Sequence, residues 1–171
     1  VGMDSVLMNF SRTGEVEETA FFVQIMNRAI ENDVQLIVLD SLHDLYAGNE
    51  NDRVQARRFI SGLRTIATEA NAAVLLLAHP SLSGLNSGSG SSGSTAWNNS
   101  VRSRLYLSKP EENSGSDDGS RVLATKKSNY ARAGDDLLIM FSDGRFVRDM
   151  GPGSGVFGSM RKDAARQAFM R

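Results

Sequence analysis

Two polar side chains with the capacity for chemistry, Asp40 and His79, each stand at the end of an apolar run. Asp40 follows residues 34–39, a largely apolar run that is typical of a strand buried on both faces of a parallel sheet. The carboxyl ends of such strands form the edge at which open α/β sheets bind ligands. An ionised carboxylate there can hold the water shell of a Mg²⁺ beside phosphate groups. The same position also suits an Asp that simply ends a strand in a turn.

His79 follows a second apolar run, residues 73–78, and precedes Pro80. If the two runs form neighbouring parallel strands, His79 and Asp40 lie at the same edge of the sheet. From that edge an imidazole can sense the terminal phosphate of a bound nucleotide. A single His at a strand end is also ordinary at a surface or at the margin of a core, so the location of Asp40 decides between the two interpretations.

Helices and strands that alternate along the first half must position these two residues. Apolar spacing of three and four predicts a helix over residues 15–32, with three glutamates in its first turn. A second helix is predicted to begin at a cap on Asn51 or Asp52 and to end near Ala70. Together with strands at 4–10, 34–40 and 73–78, these helices predict parallel β-α units with right-handed crossovers.

The stretch that follows, residues 81–100 and here named the Gly/Ser loop, contains no charged residue. Gly88, Gly90 and Gly93 match the pattern G-x-G-x-x-G. That pattern indicates a dinucleotide site only where it joins a strand tightly to a helix, and here it lies inside a long loop with no helix predicted behind it. Its composition instead predicts a mobile loop with a functional role.

In the second half, the two-residue alternation at 101–108 predicts a strand, and further strands are predicted at 121–127 and 135–142. Asp143-Gly144 predicts a hairpin turn into a last strand at 145–148. The predicted fold is therefore α/β, a mixed sheet with parallel β-α units first and antiparallel strands and a hairpin afterwards. Residues 1–150 are predicted to form this core, and residues 151–171 a Gly-rich linker and a short basic helix.

Composition narrows the classes of function. The 171 residues carry a net charge of −1, so any site for a polyanion must be a local patch. The chain has no cysteine, which excludes thiol catalysis, cysteine-ligated zinc and disulfides and favours a cytoplasmic location. No run of about 18 apolar residues predicts a membrane span. Because the first residue is Val1 and not Met, we expect the chain to be a piece of a longer protein.

Five short segments, taken in order, resemble the RepA-like branch of the RecA-type P-loop ATPases, which are hexameric replicative helicases of plasmids and related ATPases. The segments are Val-Leu-Asp-Ser-Leu at 38–42, Gly-Asn-Glu-Asn-Asp at 48–52, Leu-Leu-Leu-Ala-His at 75–79, Ser-Val-Arg at 100–102 and Lys-Lys-Ser-Asn-Tyr at 126–130. The resemblance covers about residues 4–149. It implies a RecA-like fold, bound ATP and Mg²⁺, a hexameric ring of identical subunits, and single-stranded DNA as the partner.

The resemblance also implies roles for individual residues. Asp40 would be the Walker B acid that holds Mg²⁺ through water, and His79 the sensor of the γ-phosphate. Arg102 would be the arginine finger, which acts on the nucleotide of a neighbouring subunit; it is otherwise a plain solvent-facing residue of a strand. The other residues implied at the nucleotide site are Ser41, Glu50, Asn51, Lys126 and Lys127. Those implied to contact DNA are Ser83, Gly84, Ser87, Gly88 and Trp97.

The sequence departs from this family at the phosphate-binding loop. The pattern G-x-x-x-x-G-K-[ST] does not occur, and the chain contains no Gly-Lys pair. The strand and glutamate that supply the catalytic base lie upstream of Walker B in the family, and we expect them in a segment before Val1. We therefore expect the chain alone to bind no cofactor and to be inactive, as part of a larger ATPase. The alternative is a complete but catalytically inactive RecA-like domain that serves as a scaffold or interaction module.

Overall fold

A computed structural model describes residues 5–11, 15–110, 119–132 and 134–148. The chain forms two compact units, Val1–Arg102 and Ser103–Arg171. The linker and basic helix predicted at 151–171 lie outside the described residues, as does most of the acidic break between the first two strands of the second unit. Within the described part, no helix is long and apolar enough to cross a membrane.

The first unit alternates short strands with helices. Its elements in chain order are β1 (Met8–Phe10), β2 (Val16–Glu18), α1 (Ala20–Glu31), β3 (Leu36–Leu39), α2 (Leu42–Leu45), α3 (Arg53–Glu69), β4 (Ala73–Leu76), α4 (Leu82–Asn86) and α5 (Thr95–Ser100). Strand β1 pairs with β2, and β3 pairs with β4.

The β3–β4 pair is parallel, with Leu39 opposite Leu76, and helices α2 and α3 lie between the two strands in the chain. This confirms the predicted β-α unit that ends in Asp40 and His79. The prediction that the first of these strands is buried on both faces is wrong, because Leu36 and Val38 are each 53% exposed. Only the opposite face, with Ile37 and Leu39, packs against the core. In the described residues the pair therefore has one covered face and one uncovered apolar face.

Strand β1 pairs antiparallel with β2, and the predicted parallel ladder with β3 is not formed in the described part of the chain. The helix predicted to begin at residue 15 begins at Ala20 instead. Glu17 and Glu18 belong to β2, so the acidic residues do not occupy the first turn of α1. The Thr19 side chain caps the helix by accepting from the Phe22 N–H, and it also donates to the Val6 carbonyl at 2.7 Å.

Helix α3 follows its prediction closely. Asp52 is the N-cap and accepts from two backbone N–H groups, and Ala70 is the C-cap. Its apolar stripe is buried at Ala56, Phe59, Ile60, Leu63 and Ile66. This stripe forms one side of the core of the unit; the rest of that cluster consists of Leu7, Met8, Phe22, Leu39, Leu42, Leu45 and Tyr46.

The second unit is a four-stranded antiparallel sheet. Its strands, in the order in which they pair, are β5 (Ser103–Ser108), β6 (Ser120–Ser128), β7 (Leu137–Ser142) and β8 (Arg145–Arg148). The predicted hairpin is confirmed, since Asp143 and Gly144 both have positive φ in the two-residue turn. The α/β class is confirmed as well. The single mixed sheet is not, because parallel and antiparallel strands belong to separate sheets of the described residues.

Candidate functional site

Asp40 lies at the carboxyl end of β3, where the ladder with β4 continues for one more hydrogen bond. The Leu77 N–H donates to the Leu39 carbonyl at 2.9 Å, and the peptide bond between Asp40 and Ser41 is cis. The carboxylate of Asp40 is exposed and forms no hydrogen bond or ion pair with the described residues. It is therefore available to a ligand at the edge of the parallel pair.

His79 lies at the same edge, beyond the end of β4. It is exposed, and like Asp40 it has no partner among the described side chains. The parallel register places the ends of both strands together, as the sequence predicted. The edge thus presents one carboxylate and one imidazole to solvent.

Ser41 joins this edge to helix α2. Its hydroxyl is buried and donates to the Asp44 carboxylate at 2.9 Å, which ties the first turn of α2 together. The N–H of Leu42, the first residue of α2, donates to the Leu77 carbonyl at 2.8 Å. The position of α2 is therefore fixed by the end of β4, and Ser41 has a structural task in addition to the nucleotide contact predicted for it.

The donor set at this edge suits Mg²⁺ held through water. Mg²⁺ keeps several water ligands and is commonly held by one or two carboxylates together with the phosphates of a substrate. Asp40 supplies one such carboxylate with its oxygens unused. No group of three or more His, Cys, Asp or Glu side chains in the described part of the chain is arranged as a metal cage. The nucleotide would have to provide the remaining ligands.

Glu50 and Asn51 lie in the connection between α2 and α3. The Glu50 carboxylate lies 3.1 Å from His43 Nδ1 and accepts from the Ser92 hydroxyl at 3.3 Å. The Asn51 N–H donates to the Asn49 side chain at 2.9 Å, and the Asn51 side chain is exposed. Glu50 thus contacts the Gly/Ser loop, which the sequence did not predict. The nucleotide contacts predicted for both residues stay predictions.

Tyr46 is the buried polar residue beside this connection. Its hydroxyl donates to the Asn49 carbonyl at 3.0 Å. Burial, followed by the negative charges of Asp52 and Glu50, raises the pKa of Tyr46 to about 12. All three effects disfavour the phenolate, so Tyr46 serves as a neutral hydrogen-bond donor that holds the connection onto the core.

The Gly/Ser loop is more ordered than its composition suggests. It contains α4 and α5, each capped by a serine side chain, Ser81 and Ser94 respectively. The prediction that no helix follows the glycine pattern is therefore wrong, although α5 has only six residues. Gly88, Gly90 and Gly93 all have positive φ, near +60°. This conformation accounts for the three glycines without a dinucleotide site.

The residues predicted to contact DNA are spread over this loop. Ser83 lies 2.9 Å from Ser81, hydroxyl to hydroxyl, and Ser87 donates to Ser89 at 2.9 Å. Gly84 is buried, and a Cβ there would collide with the backbone of Ser91. By contrast, Gly88 faces open space. Contact with DNA at these positions stays a prediction.

Trp97 lies at the base of the loop. Its indole packs edge to face on Tyr46 and Phe59, with ring centroids 5.0 and 6.0 Å apart. The indole N–H donates to the Glu50 carbonyl at 2.9 Å. These contacts give Trp97 a packing role that the sequence did not reveal, because its partners lie about 40 and 50 residues away in the chain.

The basic residues predicted at the nucleotide site belong to both units. Arg102 is exposed and is the last residue of the first unit. Lys126 and Lys127 are on β6 of the second unit, where the Lys126 ammonium lies 5.7 Å from the centre of the Tyr106 ring. Lys127 pairs across the ladder with Arg104.

Two surface grooves adjoin the β1–β2 pair and α3, with volumes of about 680 and 460 Å³. Val16 and Arg58 line both grooves, and no residue predicted for the site lines either one. Neither groove therefore coincides with the strand edge that carries Asp40 and His79.

The comparisons with known proteins concern the first unit. No curated protein matches the chain. Residues 3–84 match the model of a family described as AAA domain. The matched stretch contains both Asp40 and His79 and ends inside α4, before Trp97 and Arg102. This match supports a P-loop ATPase type for the part of the chain that carries the strand edge, and intact ATPases of that type use a nucleotide with Mg²⁺.

Proposed function

We propose that this chain supplies the Mg²⁺-binding acid and the phosphate sensor of a RepA-like, DNA-dependent ATPase. The observation that carries the proposal is the β3–β4 edge, where Asp40 and His79 follow two strands in parallel register. Both side chains are exposed and unpartnered within the described residues. The family match over residues 3–84 supports the ATPase part of the proposal. The helicase part rests on the resemblance of the ordered segments.

The two side chains have separate tasks in this proposal. Asp40 holds Mg²⁺ through water, and the bound ion neutralises charge on the phosphate oxygens. His79 donates a hydrogen bond to the terminal phosphate and reports its presence to the Gly/Ser loop. In this proposal Asp40 is engaged by the Mg²⁺ water shell and His79 by the terminal phosphate, so we place the catalytic base in a different segment.

The phosphate-binding loop is the missing part of the site. Backbone N–H groups of a Gly-rich loop and its Lys provide much of the binding to the β- and γ-phosphates, and this sequence has no such loop. We propose that the loop is supplied from outside these 171 residues and that the chain alone does not hydrolyse ATP. Arg102 then acts on the nucleotide of a neighbour in a hexameric ring, in the cytoplasm.

Single-stranded DNA is the proposed partner of the Gly/Ser loop. No Lys or Arg lies between Pro80 and Ser100, so this loop offers backbone N–H groups and hydroxyls to phosphates. Few counterions are released when such groups bind DNA, and the affinity contributed by this loop should depend only weakly on salt. Basic side chains elsewhere in the assembly would supply the electrostatic part of the affinity for single-stranded DNA.

The first test is calorimetry of this chain with MgATP. We expect no tight binding, because a single carboxylate and an imidazole do not replace the phosphate loop. Tight binding would show that the nucleotide site is complete within these residues, which would overturn the division of the site proposed here.

The second test uses the protein encoded by the complete gene. DNA-stimulated hydrolysis of ATP is expected in the wild type and is expected to be lost in Asp40→Asn. Asp33→Asn is the matched control, since it changes the same chemical group at the other end of the strand and away from the edge. Absence of hydrolysis in the wild type would favour the scaffold alternative, and full turnover in Asp40→Asn would remove Asp40 from the mechanism.

A further inference from the structure

Glu50 bridges two parts of the first unit through both its side chain and its backbone. The carboxylate contacts His43 Nδ1 at 3.1 Å and the Ser92 hydroxyl at 3.3 Å. The carbonyl accepts from the Trp97 indole at 2.9 Å and from the Ser94 N–H at 3.0 Å. We name this set of contacts the Glu50 latch. Three of its four partners belong to the Gly/Ser loop, and the fourth belongs to α2.

The α2 side of the latch leads to the strand edge. His43 is on α2, which begins two residues after Asp40, and the first N–H of α2 donates to the Leu77 carbonyl at the end of β4. Glu50 therefore connects the helix that β4 positions to a loop more than 40 residues further along the chain. The Glu50 side chain is 27% exposed, so water has only limited access to its carboxylate and competes weakly for the contacts with His43 and Ser92.

On the loop side, the fit leaves no room for a side chain at Gly93. Gly93 has φ +58°, and a Cβ built on it would lie 2.7 Å from the Glu50 carbonyl oxygen. The backbone of the loop thus approaches Glu50 as closely as a glycine allows. Trp97, packed on Tyr46 and Phe59, anchors the carboxyl end of the loop independently of the Glu50 side chain.

We propose that Glu50 is a positioning residue whose carboxylate holds residues 81–94 of the Gly/Ser loop in place against α2. Through His43 and Ser92, it fixes the loop relative to the edge that carries Asp40 and His79. The consequence for binding of single-stranded DNA rests on the proposed function. The positioning of the loop by Glu50 is independent of the proposed function, because it follows from contacts within the first unit.

Amide hydrogen exchange of the full chain tests the holding of the loop. Glu50→Ala is expected to raise exchange in residues 81–94 roughly tenfold, because the contact with His43 and the hydrogen bond from Ser92 are both lost, while exchange in α3 stays unchanged. Glu50→Gln should retain most of the protection, since its amide can still pair with His43 and Ser92. Glu69→Ala, an exposed Glu outside the latch, is the matched control.

Trp97 provides a second readout because it is the only tryptophan of the chain. Its indole donates to the backbone carbonyl of Glu50, so its emission should be the same in Glu50→Ala and wild type while the loop exchanges faster. If Glu50→Ala fails to fold, Ser92→Ala removes one side-chain contact and should still raise loop exchange. Equal exchange at 81–94 in folded Glu50→Ala and wild type would overturn the proposal.

Binding of a labelled single-stranded oligonucleotide to the complete gene product separates this inference from the proposed function. Both are supported if wild type and Glu69→Ala bind alike and Glu50→Ala binds roughly tenfold more weakly, in line with the loss of loop protection. If the loop exchanges faster in Glu50→Ala but the wild type binds no DNA, the positioning role of Glu50 is supported and the proposed DNA contact is wrong. If the wild type binds DNA and the loop exchanges equally in all variants, the positioning role of Glu50 is wrong and the proposed function is unaffected.

Discussion

Asp40 and Tyr46 are two ionisable residues with opposite surroundings. Asp40 is exposed and unpaired within the described residues, whereas Tyr46 is 6% exposed and donates to a backbone carbonyl. The fold needs the hydroxyl of Tyr46 for its own packing and makes no comparable use of the carboxylate of Asp40. Substitutions at the two positions should therefore have different effects on stability.

Replacing Asp40 should cost activity and not stability. Asp40→Asn removes a charge that contacts no described residue, so the free energy of unfolding should change by less than about 0.5 kcal/mol. Hydrolysis of ATP by the complete gene product should fall by orders of magnitude, since an amide is a poor acceptor for the water shell of Mg²⁺. Urea unfolding of the chain and a phosphate-release assay measure the two effects. A loss of stability of several kcal/mol would show that Asp40 is structural.

The raised pKa of Tyr46 predicts a loss of stability at high pH. The unfolded chain has the ordinary tyrosine pKa of 10 and the folded chain about 12, so the unfolded state binds fewer protons between these values. The contribution is complete below pH 10 and is lost as the pH rises toward 12, by up to about 2 kcal/mol. Urea unfolding at several pH values should show this loss in wild type and in Tyr130→Phe, but not in Tyr46→Phe. Parallel curves for all three proteins would contradict it.

At the scale of elements, α3 is the one most fully determined by local sequence. Asp52 caps the helix by accepting from the N–H groups of Val54 and Gln55, at 2.8 and 3.1 Å. The apolar residues recur on one face, and Ala70 ends the helix. Cap and stripe are both contained in the segment itself, and the prediction of this helix was therefore correct at both ends.

The cap of α3 gives a prediction of its own. Asp52→Ala should destabilise the first unit by about 1 kcal/mol, because two N–H groups lose their acceptor. Asp52→Asn should be nearly neutral, since its side-chain oxygen can still accept. Asp52→Ala should also lower the pKa of Tyr46, because a neighbouring negative charge is removed. Thermal unfolding and titration of tyrosine absorbance measure these effects; equal stability of Asp52→Ala and wild type would contradict the capping role.

Elements that depend on distant partners could not be predicted as well. Val16, Glu17 and Glu18 form a strand because they pair with β1, although their sequence also suits the first turn of a helix. The Gly/Ser loop is held by Glu50, which is about 40 residues away, so its composition alone suggested mobility. The strand ends carrying Asp40 and His79 were predictable, because both follow apolar runs linked by a clear helix.

At the scale of the molecule, the parallel pair leaves one apolar face uncovered in the described residues, with Leu36, Val38, Leu75 and Leu77 each more than a third exposed. Parallel sheets are usually covered on both faces. The sequence predicted burial on both faces because an apolar run does not reveal which face has a partner. In the assembly proposed above, this uncovered face is available to a further segment or subunit.

A ring assembly can be tested by mixing two inactive variants of the complete gene product. Arg102→Ala subunits lack the finger and Asp40→Asn subunits lack the Mg²⁺-binding acid, so each protein alone should be inactive. If Arg102 acts on a neighbour's nucleotide, the contact between an Arg102→Ala subunit and an adjacent Asp40→Asn subunit combines an intact Asp40 with an intact Arg102. ATP hydrolysis should then rise at intermediate mixing ratios and vanish at both extremes.

The control for this mixture is Arg57→Ala, which removes an exposed arginine of α3 and should be active alone. Exchange of subunits has to be established with labelled proteins before hydrolysis is compared. Arg102 and Asp40 of the same subunit cannot form a complete site in either variant, so recovered activity requires residues from two chains. Failure at every ratio, with exchange established, would mean that Arg102 does not act across subunits and would leave it as a solvent-facing residue next to β5.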